Sequence, residues 1–394
     1  MTASKLSAHP LLITDTTALT TLCTRWSQQS VIALDTEFER SRTFYPKLAL
    51  IQLAESIEQP HQYLLDALNL PSISVLAALL ESTNITKVFH ACQEDLEVFS
   101  VVNIATKNIF DTQVAAAYAG MGMQLSYQAL IKKILNIEIT KSETRTNWLQ
   151  RPLTTAQCIY AAEDVQYLLP CYEALSDQLR QLGRLEWVLE ENKMLSQNKK
   201  EPSPEAYYLS LHQAWYFNPQ QSMVLKVLCA WRENYIRSHD VPRSFVFKNN
   251  EALAIAEKMP QAPKELEGIL GHQHRGLKYT EILLALIQQA VKSIQQGEVA
   301  SSVIRPVVTQ KQFKSLFSIL KNQIMQIAQQ LGLPESLVLS QRLLEKLVNL
   351  LVIHDRETIN DQLPEVFNGW RYKIVIVPLM VIFYRWQAEN AGSL

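Results

Sequence analysis

The sequence predicts an α/β front domain, with a mixed sheet flanked by helices, followed by two all-α domains. Three observations carry this. Apolar runs of strand length, several rich in β-branched residues, dominate up to about residue 70. From about residue 90 onward apolar residues recur mostly at helical spacing. Between the regimes, the polar, charged, proline-bearing stretch SQNKKEPSP (196–204) reads as a linker. The division expected is 1–195 for the front domain, 196–209 for the linker, 210–296 for one helical domain and 297–394 for a second.

Taken in order, LLIT, VIALDTEF, LALIQLA and HQYLLDAL each read as a strand. Short turns or a helix separate the first three, so an antiparallel meander continuing into parallel strands is expected. KVFHA reads as a further strand, with a helix beginning near Gln93. No Gly or Pro lies between Thr154 and Leu169, which predicts a helix there. Beyond the linker, Gln221 to Arg237 shows helical spacing, and GEVASS (297–302) reads as a second linker before the last helical unit. The apolar run Ile374–Tyr384 is short and interrupted by Pro378, which predicts a buried helix end and no membrane span.

The chemistry lies in four acids and a tyrosine beside apolar segments: Asp35, Glu37, Asp95, Tyr160 and Asp164. Asp35 and Glu37 at i, i+2 share one face of an extended chain. Tyr160 and Asp164 at i, i+4 share one face of a helix. Taken singly, each residue has an ordinary reading: a solvated loop acid, a first-turn acid on a helix dipole, a core aromatic. Together they form carboxylate motifs holding no Lys or Arg, and an ionised acid against apolar surroundings needs a balancing charge. Hard oxygen ligands point to Mg2+ or Mn2+ as its source.

Composition narrows the setting. The five cysteines form no CxxC pair and no dense framework, which predicts reduced thiols in a cytoplasm and no zinc site. His272 and His274 in GHQHRG read as a loop. No N-terminal charged segment precedes a long apolar run, so no signal peptide is expected. Net charge is −1, with 17 Lys/Arg against 21 Asp/Glu in residues 1–200 and 20 against 17 beyond, a slightly basic rear half. No GxxxxGK[ST] or GxGxxG run appears, which excludes the usual nucleotide-cofactor signatures.

Three ordered motifs with long flanks resemble ribonuclease D, of the tyrosine subgroup of the DEDD 3′→5′ exonucleases. They are Asp35-Thr36-Glu37 in DTEFERSRTFYPKLALIQLA, Asp95 in HACQEDLEVF, and Tyr160 to Asp164. FDTQVAAAYAGMGMQLSYQALI (from Phe110) and KSETRTNWLQRPLTTAQ (from Lys141) resemble the family as well, so the likeness covers about the first 190 residues. HDVPRSFVFKNNEALAIAEKMP resembles the HRDC domain, a helical bundle found in helicases and ribonuclease D. QQLGLPESLVLSQRLLEKLV and GWRYKIV resemble a diverged second HRDC-type domain that could pack on the front domain.

The resemblance implies a ribonuclease-H-like sheet and an exoribonuclease that releases nucleoside 5′-monophosphates from the 3′ ends of structured RNA, tRNA precursors among them. It implies two metal ions about 4 Å apart flanking the scissile phosphate. On that pattern Asp35 bridges both ions, Glu37 and Asp164 complete the nucleophile side, Asp95 holds the leaving-group ion partly through water, and Tyr160 orients the attacking water. Substrate contacts are expected at Phe38 (stacking on a base, or core), His90 (the terminal nucleotide, or a structural histidine), and Arg151 (a phosphate, or the start of a helix). Arg243, with Arg237 and Lys248, could meet phosphates or form a solvated basic face. The partner expected is RNA, bound by a monomer with no membrane and no nucleotide cofactor. The alternatives are a DNA-directed exonuclease with the same metal chemistry and a non-catalytic RNA-binding adaptor.

Overall fold

The computed structural model describes residues 10–55, 61–139, 146–197, 201–301, 303 and 313–390. Residues 141–145 of the KSETR segment, 198–200 of the first linker and 302 of the second lie outside the described residues.

Six strands form one sheet: β1 (Leu11–Ile13), β2 (Val31–Glu39), β3 (Lys47–Glu55), β4 (His61–Asp66), β5 (Thr86–Phe89) and β6 (Ile109–Asp111). Their order is β1-β4-β3-β2-β5-β6. β2, β3 and β4 make an antiparallel meander, while β1 joins β4, β5 joins β2 and β6 joins β5 in parallel. The expected strands are all present. β6 was not expected, because its three residues run straight into a helix and leave no alternating pattern to read.

Helices of seven or more residues in this part are α1 (Thr16–Trp26), α2 (Gln93–Val101), α3 (Thr112–Tyr118), α4 (Tyr127–Leu135), α5 (Thr155–Gln166), α6 (Leu168–Gln181) and α7 (Leu185–Ser196). Strand alternation divides the side chains between two layers. Ile32, Leu34, Ile51 and Leu53 pack with Leu19 and Trp26 of α1 and with Leu96 and Phe99 of α2. On the opposite face Leu50 and Leu64 meet Trp148, in the segment before α5, and Ala161 of α5. That second face also receives Asp35 and Glu37.

The chain separates into two compact units: Met1–Glu39, Pro46–Asn198 and Ser315–Leu394 in the first, Arg40–Tyr45 and Lys199–Lys314 in the second. The second unit is helical, with α8 (Pro219–His239), α9 (Asn249–Lys258), α10 (Pro263–Leu270) and α11 (Thr280–Gln295) around a core that includes Leu225, Leu228, Phe247, Ile255 and Leu283. α8 starts on a capping box, with Asn218 and Gln221 each satisfying the other's backbone N–H and Pro219 at its start. The loop Arg40–Tyr45 belongs to this unit, where Phe44 and Tyr45 donate their N–H groups to Asp240 at 2.9 Å each.

The last helices, α12 (Lys314–Leu331), α13 (Gln341–Ile353) and α14 (Val377–Glu389), belong to the first unit. The GWR segment is the attachment. Trp370 stacks on Trp187 of α7 at 4.5 Å and donates to Glu190 and Glu191. Buried Arg371 bonds Glu191, the Tyr118 hydroxyl and the carbonyls of Leu337 and Val338. Gly369 sits at φ +60, where an added Cβ would run into the Glu190 carboxylate. Ahead of α14 a π-helical turn, Tyr372–Ile376, leads into Pro378, whose missing N–H could not serve a regular helix. Among the described residues no helix is long and apolar enough to cross a membrane.

One buried acid holds the loops beneath the sheet's carboxyl edge. Asp111 accepts the backbone N–H groups of Ala91, Cys92, Gln113 and Val114, so it fixes the turn into α2 and caps α3. Asp111→Ala leaves those donors without a partner and is expected to lower stability by about 3 kcal/mol, with Asp111→Asn losing roughly half as much. Urea midpoints at unchanged m-value check this.

Candidate active site

Each site acid owes its position to a local feature. Asp35 and Glu37 lie on β2 just before a bulge between Glu37 and Phe38, which bends the strand where pairing with β3 shifts register. Asp95 lies in the first turn of α2, whose entry passes through Ala91 at φ 60. Tyr160 and Asp164 lie on α5, which begins at a capping box: Gln157 donates its backbone N–H to the Thr154 side chain and accepts the Thr154 N–H.

Asp35, Glu37 and Asp164 each offer a carboxylate oxygen, and these atoms all lie within 4.8 Å of one another. Asp95 falls outside that trio and is bonded by the Thr36 hydroxyl. A cleft of about 230 Å³ opens beside the trio, lined by Asp35, Glu37, Asp164, Tyr160, His90, Tyr127, Gln128 and Leu168.

Burial is the main force on these acids, and mutual repulsion adds to it. Desolvation, then Asp95, Asp164 and Glu37, raise Asp35 well above the usual carboxylate range. Desolvation and then Asp164 and Asp95 push Glu37 up to about 8. Burial lifts Asp95 and Asp164 to about 7 each, against hydrogen bonds from Thr36 and Tyr160 that favour the ionised forms. No lysine or arginine appears among the groups that shift them. An all-oxygen set with no counter-ion among the described groups that shift it fits a hard divalent cation.

Supporting residues came to light only in three dimensions. Tyr127, at the start of α4, donates its hydroxyl to the Glu163 carbonyl at 2.9 Å and accepts the Tyr167 N–H at 3.2 Å, so it braces the helices carrying Asp164. Tyr127, Gln128 and Leu168 line the cleft; the first two lie in the segment from Phe110 that resembles the family, where no residue is singled out. Trp148 lies under Tyr160, ring centroids 6.0 Å apart.

The expected substrate contacts fare differently. Phe38 packs against the core beside β2 and does not line the cleft. His90 does line it, but both ring nitrogens are engaged, Nδ1 with Thr112 at 2.9 Å and Nε2 with the Leu125 carbonyl at 3.0 Å. Arg151 must be reassigned. Its donors all go to Asp66 and to the carbonyls of Ala49, Trp148 and Gln150, leaving none for a phosphate. It clamps the segment before α5 to the end of β4. Arg243 is likewise engaged with Glu201 and Glu233, and Arg237 with the same two acids, while Glu233 also pairs with buried Arg232. Lys248 stays exposed.

Comparison with known proteins decides the family. Residues 10–180 match the 3′-5′ exonuclease family, 221–287 the HRDC domain, and 311–379 the ribonuclease D C-terminal HRDC domain. Ribonuclease D of Pseudomonas paraeruginosa is 36% identical over 364 residues, covering 91% of this chain and 93% of that protein. The chain belongs to the ribonuclease D family. Ribonuclease D of Serratia proteamaculans is 33% identical over 374 residues, 94% of this chain and 98% of its own. The crystal structure of Escherichia coli RNase D, described as an exoribonuclease involved in structured RNA processing, superposes with a TM-score of 0.84 at 30% identity, covering 96% and 99% of the two chains. As a ribonuclease D the chain is a 3′→5′ exoribonuclease, and its exonuclease domain implies a divalent metal and an RNA substrate.

The raised acids give a pH signature. An unfolded carboxylate titrates near 4. Between about pH 4 and 8 the metal-free fold therefore holds protons that the unfolded chain has released, and its stability falls as pH rises. Metal ions replace those protons. The rise in Tm on adding Mn2+ is expected to be larger at pH 8 than at pH 5.5, by roughly 5 °C. Scanning calorimetry reads it; equal shifts at both pH values would remove the carboxylates as ligands.

Proposed function

We propose that this exoribonuclease trims the 3′ ends of structured RNA, tRNA precursors included, and releases nucleoside 5′-monophosphates with two Mg2+ or Mn2+ ions. The observation that carries the reading is the trio Asp35, Glu37 and Asp164 with ligand atoms within 4.8 Å of one another beside a small cleft. Asp35, Glu37 and Asp164 would hold the ions, with Asp95 reaching them through water. Bound there, divalent ions supply the Lewis acidity that activates a water and stabilises the leaving 3′ oxygen.

The remaining work falls to this chain's own groups. Burial and the surrounding acids drive the Tyr160 hydroxyl far above its ordinary pKa, so it stays protonated and is no base. Its hydroxyl donates a hydrogen bond to the Asp164 carboxylate, which leaves an oxygen lone pair to accept a hydrogen bond from the attacking water and aim it. The small cleft favours an unpaired chain end over the middle of a duplex. Five free cysteines support a cytoplasmic setting. The division at 1–195, 210–296 and 297–394 belongs to the same reading, with the last helices grouped in the unit that holds the acids.

A tRNA carrying a 3′ extension, incubated with and without Mg2+, tests this. Metal-dependent shortening with release of 5′-mononucleotides is expected, and slower loss of a DNA strand of the same sequence. Release of 3′-monophosphates, or shortening in the presence of chelator, would refute it. In the same assay Tyr160→Phe should lower the single-turnover rate by about 100-fold while leaving RNA and Mn2+ affinity within about twofold.

A further inference from the structure

A buried glutamine beside the acid trio has no partner. Gln52 on β3 is fully buried, and both its amide oxygen and its amide nitrogen lack a hydrogen-bond partner among the described residues. An unsatisfied buried amide is costly and calls for an explanation. Gln52 is the register partner of Asp35 across the β2–β3 ladder. Residues so paired project from the same face of an antiparallel sheet, with Cβ atoms about 5 Å apart.

The other polar side chains of that face, Glu37, Gln62 and Asp66, lie on the diagonals, farther from Gln52 than Asp35 is. Leu50 and Ala54 flank it on its own strand, Leu64 lies opposite on β4, and all three side chains are buried. Asp35 is therefore the polar side chain in register with this amide. Asn192, the other buried amide left without a partner, lies on α7, away from this ladder.

We propose that Gln52 is a positioning residue for Asp35. With a cation held at the acids, the Gln52 Nε2–H group would donate to the Asp35 carboxylate and fix its direction. The inference rests on the metal-site reading above and adds a support beneath it. Carboxylate ligands are commonly held in this way, and removing the holder typically weakens metal binding ten- to a hundredfold, as an order of magnitude.

Gln52→Met in the full chain tests this, because it keeps the volume and removes the amide. Mn2+ affinity, measured on metal-free protein by calorimetry or electron paramagnetic resonance, should fall about tenfold or more. The metal-free urea midpoint should hold or rise, since an unpaired amide has left the interior. Gln52→Asn, whose amide sits one methylene farther from Asp35, should fall between the two; it carries the test alone if Gln52→Met does not fold. Mn2+ affinity within twofold of the parent chain, or a metal-free stability loss that parallels the loss of binding, would overturn the proposal. Asp35→Asn tells the two readings apart: if it binds Mn2+ as well as the parent chain does, the metal site itself is wrong, and Gln52 is not what failed.

Discussion

Carboxylates brought together in a poorly solvated place repel one another, and every nearby feature of this protein serves to hold them there. Burial raises Asp35, Glu37 and Asp164; the charges of Asp164 and Asp95 add to the rise of the first two, and Glu163 adds to that of Asp164. Among the described residues, no lysine or arginine belongs to the groups that shift them. Such an arrangement is destabilising by itself, and a divalent ion that replaced the protons would make it favourable. The site is thus a place where local stability has been given up for function, a pattern in which strain at the centre is carried by the packing around it.

That packing comes from distant parts of the chain. The antiparallel pairing of β2 and β3 sets Asp35 and Glu37 on the α5 face, and the bulge after Glu37 ends that register. Asp111 ties down the turn that brings Asp95 in, while Arg151 pins the entry to α5 against Asp66 at the end of β4. Asp66 is buried, and the Arg151 guanidinium holds its carboxyl below the ordinary range, against the effect of burial. The pair thus holds its charge inside the protein, unlike the metal-site acids. Farther off, Arg371 and Trp370 lock the last helices to α7 through Glu190 and Glu191.

Much of this was legible in the sequence because the relevant signals are local. Strand alternation placed Asp35 and Glu37 on one face, and helical spacing did the same for Tyr160 and Asp164. The four β-runs that open the chain became β1 to β4 as read. Three-dimensional partners were not legible. Arg151 and Arg243 looked like free cations because the acids that engage them, Asp66 for one and Glu201 and Glu233 for the other, lie far off in sequence. Nothing in its segment set Tyr127 apart from its neighbours, and β6 was too short to announce itself. Gln52 was hidden for the same reason: its meaning depends on which residue faces it across the ladder.

Anomalous diffraction from a crystal grown with Mn2+ tests the central claim most directly, since it locates the ions without reference to activity. The account requires two peaks in the cleft, both within ligand distance of Asp35, with Glu37 and Asp164 completing one of the two coordination shells. An absence of peaks at saturating Mn2+, or peaks coordinated elsewhere in the chain, would contradict it.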